Sequence, residues 1–253
     1  MSQTRLHVKL LDRTPRAVAL IYAACRQCYS VQFAGAIFQE RDGAGRRAGF
    51  IRKVVASGHE SPLEHAKFTF AVEGVSRALT HQLVRHRIAS FSQQSQRYVK
   101  ETAFDYVTPP SIARDPELKE EFERTMEHVQ ECYNSLLAKF KSRGKVGEQA
   151  FQDARFVLPQ AAETKIVVTM NCRELLHFFR HRCCARAQWE IKRLAEEMLR
   201  LARRELPEVF ETAGAKCVDL GYCPEGERFS CGRYPLKRNG VPKRPRRVKR
   251  GTG

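Results

Sequence analysis

Apolar and polar positions alternate at period two over His7 to Leu11 and again over Lys67 to Gly74, where Phe68, Phe70 and Val72 mark the covered face of a half-buried strand. The β-branched run Lys165 to Met170 predicts a third strand. Elsewhere the period is helical. Thr14-Pro15 offers an N-cap and an N1 proline for a helix to about Cys28, a second helix fills Gln39 to Ser57, and Ser76 can cap a helix running towards Arg85. Asp115-Pro116-Glu117 opens the clearest helix, with Leu118, Phe122, Met126, Val129, Cys132 and Leu136 as its apolar stripe and Lys139, Lys141, Arg143 and Gly144 at its close. A further helix ends near Leu158, Asn171 caps Arg173 to Arg182, and Ala187 to Glu205 repeats Ile191, Leu194, Ala195, Met198 and Ala202 at helical spacing. Helices outnumber strands, strand and helix do not alternate regularly, and no Gly-rich dinucleotide turn is present. The pattern predicts an α+β fold over a doubly wound parallel sheet.

The composition, 42% apolar and 29% charged over 253 residues, is that of a globular protein with one substantial core. We assign residues 1–235 to one domain and 236–253 to a basic tail. The net charge is +17, and Leu236 to Gly253 holds eight cations and no acid, so the remainder still carries +9. Such a field concentrates anions, small or polymeric. The tail lacks aromatic residues for base stacking and is expected to be disordered; phosphate contact with RNA or DNA through it would be non-specific, and a solubilising role is as well supported. No apolar run approaches the ~20 residues that span a bilayer. Nine cysteines without a secretory signal argue for reduced thiols and a cytoplasmic protein.

The densest chemistry lies in Arg85 to Tyr98, RHRIASFSQQSQRY, where guanidinium groups, short hydroxyls and amides surround few apolar spacers. Guanidinium forks bind phosphate in a bidentate way, and Ser and Gln complete the remaining bonds, so a nucleotide or phosphate-bearing cofactor suits this stretch. Complementing the negative end of the preceding helix explains Arg85, His86 and Arg87 but not Ser90 to Arg97. In Gly58 to His65, Ser61, Pro62 and Glu64 read as a capping box, and the six-residue separation of His59 and His65 is wrong for a helical zinc pair. Asn171 to Glu190 is a third cluster, in which Arg182 and Arg186 share a face if one helix carries both; a solvated basic face explains it as well as a ligand site does. Cys25-x2-Cys28 and Cys217-x5-Cys223-x7-Cys231 would make an irregular zinc site, and without a second C-x-x-C knuckle the reading is buried thiols and no metal. No cysteine stands in a Cys and His nucleophile signature.

Taken together, these motifs resemble the flavin-dependent thymidylate synthases, whose signature is Arg-His-Arg, seven residues, then Ser; here Arg85-His86-Arg87 to Ser95. His59 to His65, Arg97-Tyr98, Val107 to Pro110, Ala154-Arg155 with Leu158-Pro159, Asn171, Arg173, Arg182 and Ala187 to Glu190 follow in the family's order, and the likeness runs from about His7 to Arg233. It implies a homotetramer of α+β subunits, helices packed around a central mainly antiparallel sheet, with active sites at subunit interfaces. It also implies conversion of dUMP to dTMP with FAD as cofactor and NADPH and 5,10-methylenetetrahydrofolate as cosubstrates, methylene and hydride being relayed by flavin without a protein nucleophile. Carried over residue by residue, His59, Ser61, Arg85, His86, Arg87, Ile88, Gln93, Asn171, Arg173 and His177 hold the flavin. Gln82, Arg85, Gln93, Gln94, Ser95, Gln96, Arg97, Arg155 and Arg182 hold dUMP, with Arg182 catalytic and Ser95 a positioning hydroxyl. Gln93, Gln96 and His177 stand where relatives have Glu, Gly and Asn, and Gln96 adds bulk. Two rival classes share the charge but not the motif order: a basic nucleic-acid-binding protein, and a flavin- and folate-dependent RNA uracil methyltransferase.

Overall fold

Four segments pair into one antiparallel sheet, β1 (His7–Arg13), β2 (Lys67–Ser76), β3 (Ala89–Gln93) and β4 (Glu163–Asn171), in the order β1-β2-β4-β3; β2 and β4 bury every second side chain over most of their length, while β1 and β3 alternate only between exposed and half-buried ones. A computed structural model describes residues 2–39 and 44–237. Eleven α-helices complete the described residues: α1 (Ala17–Gln27), α2 (Ala34–Gln39), α3 (Ala44–Ser57), α4 (Arg77–Leu83), α5 (Pro110–Ala113), α6 (Pro116–Ser142), α7 (Glu148–Ala154), α8 (Cys172–Arg182), α9 (Trp189–Glu205), α10 (Pro207–Phe210) and α11 (Lys216–Leu220). The α+β expectation is met. Among the described residues the chain divides into two compact units, one within Met1–Lys9 and Phe70–Val168 and the other within Leu10–Thr69 and Thr169–Gly253, the divisions of the sequence falling within β1, β2 and β4.

In the first unit Gly74 has φ +69°, and a Cβ there would lie 1.9 Å from the Arg5 carbonyl oxygen, so only glycine permits this approach. Its N–H donates to Glu163 at 2.9 Å. α6 is opened by the Asp115 carboxylate, which accepts from the N–H groups of Glu117 and Leu118 at 3.1 and 3.2 Å. Its covered stripe is Phe122, Met126, Val129, Gln130 and Tyr133; Leu118 is half exposed and does not belong to it. Met126 joins Phe104, Tyr106 and Ala162 in a core against which Phe122 packs. Gln130 is buried without loss because its amide donates to the Glu101 carbonyl at 2.9 Å and accepts from the Phe104 N–H at 2.8 Å.

The second unit is built on α9, whose Ile191, Leu194, Ala195, Met198 and Ala202 are fully buried at helical spacing. Phe210 stands edge-on to Phe68 at 5.6 Å and to Phe179 at 5.9 Å. Truncating this ring to alanine would cost about 3–5 kcal/mol.

Several local expectations are corrected. α1 begins at Ala17, behind Arg16 in the left-handed region, because the Thr14 hydroxyl is taken by the Lys67 N–H at 2.9 Å. The helix expected from Gln39 is two, α2 and α3, and residues 40–43 lie outside the described ones. Ser61 caps nothing: it is the first residue of a 3₁₀ helix, Ser61–His65, begun by Glu60, and Glu64 turns to Arg173. α8 ends at Arg182, so Arg186 is not on it and pairs with Glu225 instead. Strand β3, within the densest polar stretch of the sequence, has too short an apolar alternation to announce it. Of the tail expected at 236–253, residues 238–253 lie outside the described ones, and Leu236, its first residue, is ordered in a bridge to Cys223.

Candidate functional site

In the first unit, α4 is capped by Ser76, whose hydroxyl accepts the Leu79 N–H at 3.0 Å; it carries Gln82 and leads through Arg85 into the turn before β3. Across the turn His86 is buried, while Arg85, Arg87 and Ile88 are exposed, Ile88 to 68%. Among the described residues neither Arg85, Arg87 nor Arg155 has a carboxylate partner. Fixed guanidinium charge beside an exposed apolar side chain suits a ligand with phosphates and a flat ring.

Gln93 is committed to the fold, donating to the hydroxyls of Thr80 at 3.1 Å and Thr164 at 3.2 Å, which leaves only its carbonyl oxygen for a ligand. Gln94 anchors the next residue through its N–H to the Lys165 carbonyl at 2.9 Å, and its amide reaches Glu101 at 3.4 Å. The Ser95 hydroxyl accepts the Arg97 N–H at 3.2 Å, tightening the loop, and Gln96 is buried beside it, so its bulk is housed inside. Arg97 pairs with Glu148 through one terminal nitrogen, yet its buried Nε has no partner. An orphaned charged donor at a basic loop marks a place for an anion.

Arg155 starts the 3₁₀ helix Arg155–Val157 and lies within electrostatic reach of Arg77. Burial and then Arg155 push the Arg77 guanidinium below its ordinary value, while Glu101 opposes them. The Glu101 carboxyl is pushed up by burial and then by Glu163. Sequence reasoning missed Arg77 and Glu101, since neither lies in a motif; only long-range packing nominates them.

In the second unit Asn171 is spent as the cap of α8, accepting the Glu174 N–H at 2.8 Å. α8 then presents Arg173, His177, Arg180 and, at its C-terminal end, half-buried Arg182. The segment bearing His59 and exposed Ser61 is drawn to α8 by charge: Glu60 binds Arg180 at 2.6 Å and stands 4.0 Å from Arg173, which also pairs with Glu64. Asp219 holds Arg180 from the other side at 3.1 Å. His177 lies over His181, ring centroids 4.3 Å apart, and partial desolvation followed by His181 and Arg180 lowers its pKa below the ordinary histidine value. The nominated residues thus form two sets, Gln82 to Arg97 with Arg155 in one unit and His59, Ser61, Asn171, Arg173, His177 and Arg182 in the other. Among the described residues no helix is long and apolar enough to cross a membrane.

Comparison with known proteins bears on these sets. A family model described as "Thymidylate synthase complementing protein" matches residues 9–208. A protein of Nitratidesulfovibrio vulgaris named flavin-dependent thymidylate synthase is 58% identical over 248 residues, covering 94% of this chain and 99% of that protein. Proteins of the same name from Clostridium tetani and Pyrococcus abyssi are 47% and 42% identical over 235 and 241 residues, covering 89% and 92% of this chain and 93% and 95% of theirs.

Proposed function

Because the chain belongs to the flavin-dependent thymidylate synthase family, enzymes of methyltransferase type, we propose that it converts dUMP to dTMP by reductive methylation, with FAD as cofactor, 5,10-methylenetetrahydrofolate as carbon donor and NADPH as reductant. We assign it to the cytoplasm as a homotetramer. The observation that carries the reading is that, among the described residues, Arg85 and Arg87 have no carboxylate partner and the buried Arg97 Nε has no hydrogen-bond partner, all three lying in the sequence that matches the family.

The residues present suit a flavin. Unpaired Arg85 and Arg87 offer forks for its phosphates, and exposed Ile88 and buried His86 offer ring contacts. From the second unit His59, Ser61, Asn171, Arg173 and His177 supply hydrogen-bonding groups, and Gln93 adds its carbonyl. A bound flavin supplies hydride and one-carbon transfer chemistry that no side chain offers. For dUMP, Arg97 and Arg155 bind phosphate, Ser95 orients the loop, and Gln82, Gln94, Gln96 and Arg85 complete the donor set. Arg182 beside a pyrimidine carbonyl stabilises negative charge on the ring and raises electron density at C5. No thiol is needed for attack on the ring, and burial holds the Cys172 thiol far above its ordinary value and therefore protonated.

The test is a spectrum taken during turnover. Purified protein should be yellow, NADPH should bleach the flavin band under anaerobic conditions, and dTMP should form only when dUMP and methylenetetrahydrofolate are both present. Colourless protein that FAD cannot reconstitute, or NADPH oxidation indifferent to both substrates, would overturn the reading.

A further inference from the structure

Five of the nine cysteines line one cavity of about 190 Å³ in the second unit. Cys183 and Cys184 follow α8, Cys217 lies on α11, and Cys223 and Cys231 lie on the segment after it; Cys25 and Cys28 are not among the walls. Three separate stretches of chain therefore bring thiols to one space. Irregular spacing argued against a metal only while these residues were read along the sequence.

The surroundings are wrong for a cluster of merely hydrophobic thiols. Cations Arg186, Lys192, Lys216, Arg228 and Arg233 share the walls, and the segment 216–237 contains one five-residue helix, one 3₁₀ turn and an isolated bridge. Its large apolar side chains are substantially exposed: Leu220 to 38%, Phe229 to 47% and Leu236 to 36%. A segment with so little core is commonly held by covalent or metal cross-links. Here polar contacts already bend it round the cavity: the Cys223 N–H donates to the Pro235 carbonyl at 2.7 Å, Glu225 pairs with Arg186, and Arg186 lies 4.2 Å above the Phe229 ring.

Position in the fold sorts the five. Cys183 caps the end of α8, its N–H donating to the Phe179 carbonyl at 3.0 Å, and is buried there, whereas Cys184 and Cys217 are half-buried and Cys231 is exposed at the cavity. We propose that Cys184, Cys217, Cys223 and Cys231 form a four-thiolate site for a thiophilic metal centre, a single zinc-type ion or an iron–sulfur cluster, that ties the segment 216–237 to the end of α8. Binding releases the four thiol protons to solvent, and the dianionic centre that results sits among the cavity's cations. No three of the sulfurs lie within 4.8 Å of one another, wider than the roughly 3.8 Å between thiolates around one tetrahedral zinc. A single ion therefore requires the thiols to draw together, whereas an iron–sulfur cluster is bridged by cysteine sulfurs set farther apart than those around one ion.

The experiment is metal and acid-labile sulfide analysis of the full chain purified without oxygen, repeated after reconstitution with zinc and with iron plus sulfide. About one zinc per chain without sulfide identifies the single ion, and iron with matching sulfide identifies the cluster. Either is expected to fall at least tenfold in Cys231→Ser, whose thiol is exposed and whose loss leaves the core intact, and in Cys217→Ser, and to persist in Cys183→Ser. Metal removal is expected to lower Tm while flavin absorbance remains. Protein that takes up neither centre, full retention in Cys231→Ser, or disulfides among these cysteines in protein purified without oxygen overturns the site. Loss in Cys183→Ser with retention in Cys184→Ser overturns the assignment of Cys184.

Discussion

The Arg85 to Arg97 stretch and helix α8 are both strongly cationic, but they dispose of their charge in opposite ways. On α8, Arg173 and Arg180 are answered by Glu60, Glu64 and Asp219, so much of that charge is used to hold the unit together. On the other stretch Arg85 and Arg87 face solvent without carboxylates among the described residues, and Arg97 keeps a buried nitrogen unsatisfied beside its pair with Glu148. Compensated cations build structure, and uncompensated ones wait for a ligand. Sequence composition cannot separate the two, since both stretches read as clusters of Arg and His.

The division is broken most sharply at Arg182, which lies on the structural helix yet is proposed to act on the substrate. Arg182→Ala should lower kcat for dTMP formation by about 100-fold or more, the usual consequence of removing one preorganised donor, with flavin absorbance retained. Normal turnover in the flavin-loaded variant would return all of α8 to a structural role. On the uncompensated side, Arg155→Ala should weaken dUMP binding roughly 10- to 100-fold, the loss of a charge-assisted bond of about 1.5–3 kcal/mol, with little change in Tm. Isothermal titration with dUMP and a melting curve together check this; a large Tm loss with unchanged affinity would invert the assignment.

Glu60→Gln tests the compensated side. Removing the carboxylate that serves Arg173 and Arg180, itself only 17% exposed, should cost about 1–2 kcal/mol and lower Tm by about 2–8 °C. The smallest effect concerns Glu101. Its raised pKa means that the folded state keeps this proton to higher pH than the unfolded chain does, so its contribution to stability falls as pH rises from the ordinary carboxylate range through the raised value. Glu101→Gln should flatten the dependence of Tm on pH across that window, and an unchanged slope would place the titration elsewhere.

What was legible from sequence was whatever rests on a few neighbouring residues. The period-two face of β2, the Asp115 cap of α6, the Asn171 cap of α8 and the buried stripe of α9 all appear as their patterns predict, because capping bonds and side-chain periodicity act within a turn or a strand. Ser61 shows the limit of the same logic. The motif spells a capping box, but Glu64 has a better partner in Arg173, 109 residues away, and the hydroxyl is left exposed. Gln188, which no capping motif marks, caps α9 by accepting the N–H groups of Glu190 and Ile191 at 3.0 and 3.2 Å. The candidate site divides in the same way: the signature nominated Arg85 to Arg97, while Arg77 and Glu101 emerged only from packing.

By itself, then, the sequence determined the α+β class, the major helices, the family and the stretches of chain that carry its chemistry, since these depend on local periodicity and on residue identity in order. Tertiary structure alone decided that Gln93 is bonded to Thr80 and Thr164, that Arg97 keeps an unsatisfied nitrogen, which arginines meet carboxylates, and that five cysteines from three stretches of chain line one cavity. The physical reason is that a charge or thiol acquires its role from whatever lies within a few ångströms of it. For these groups those neighbours come from segments tens of residues away.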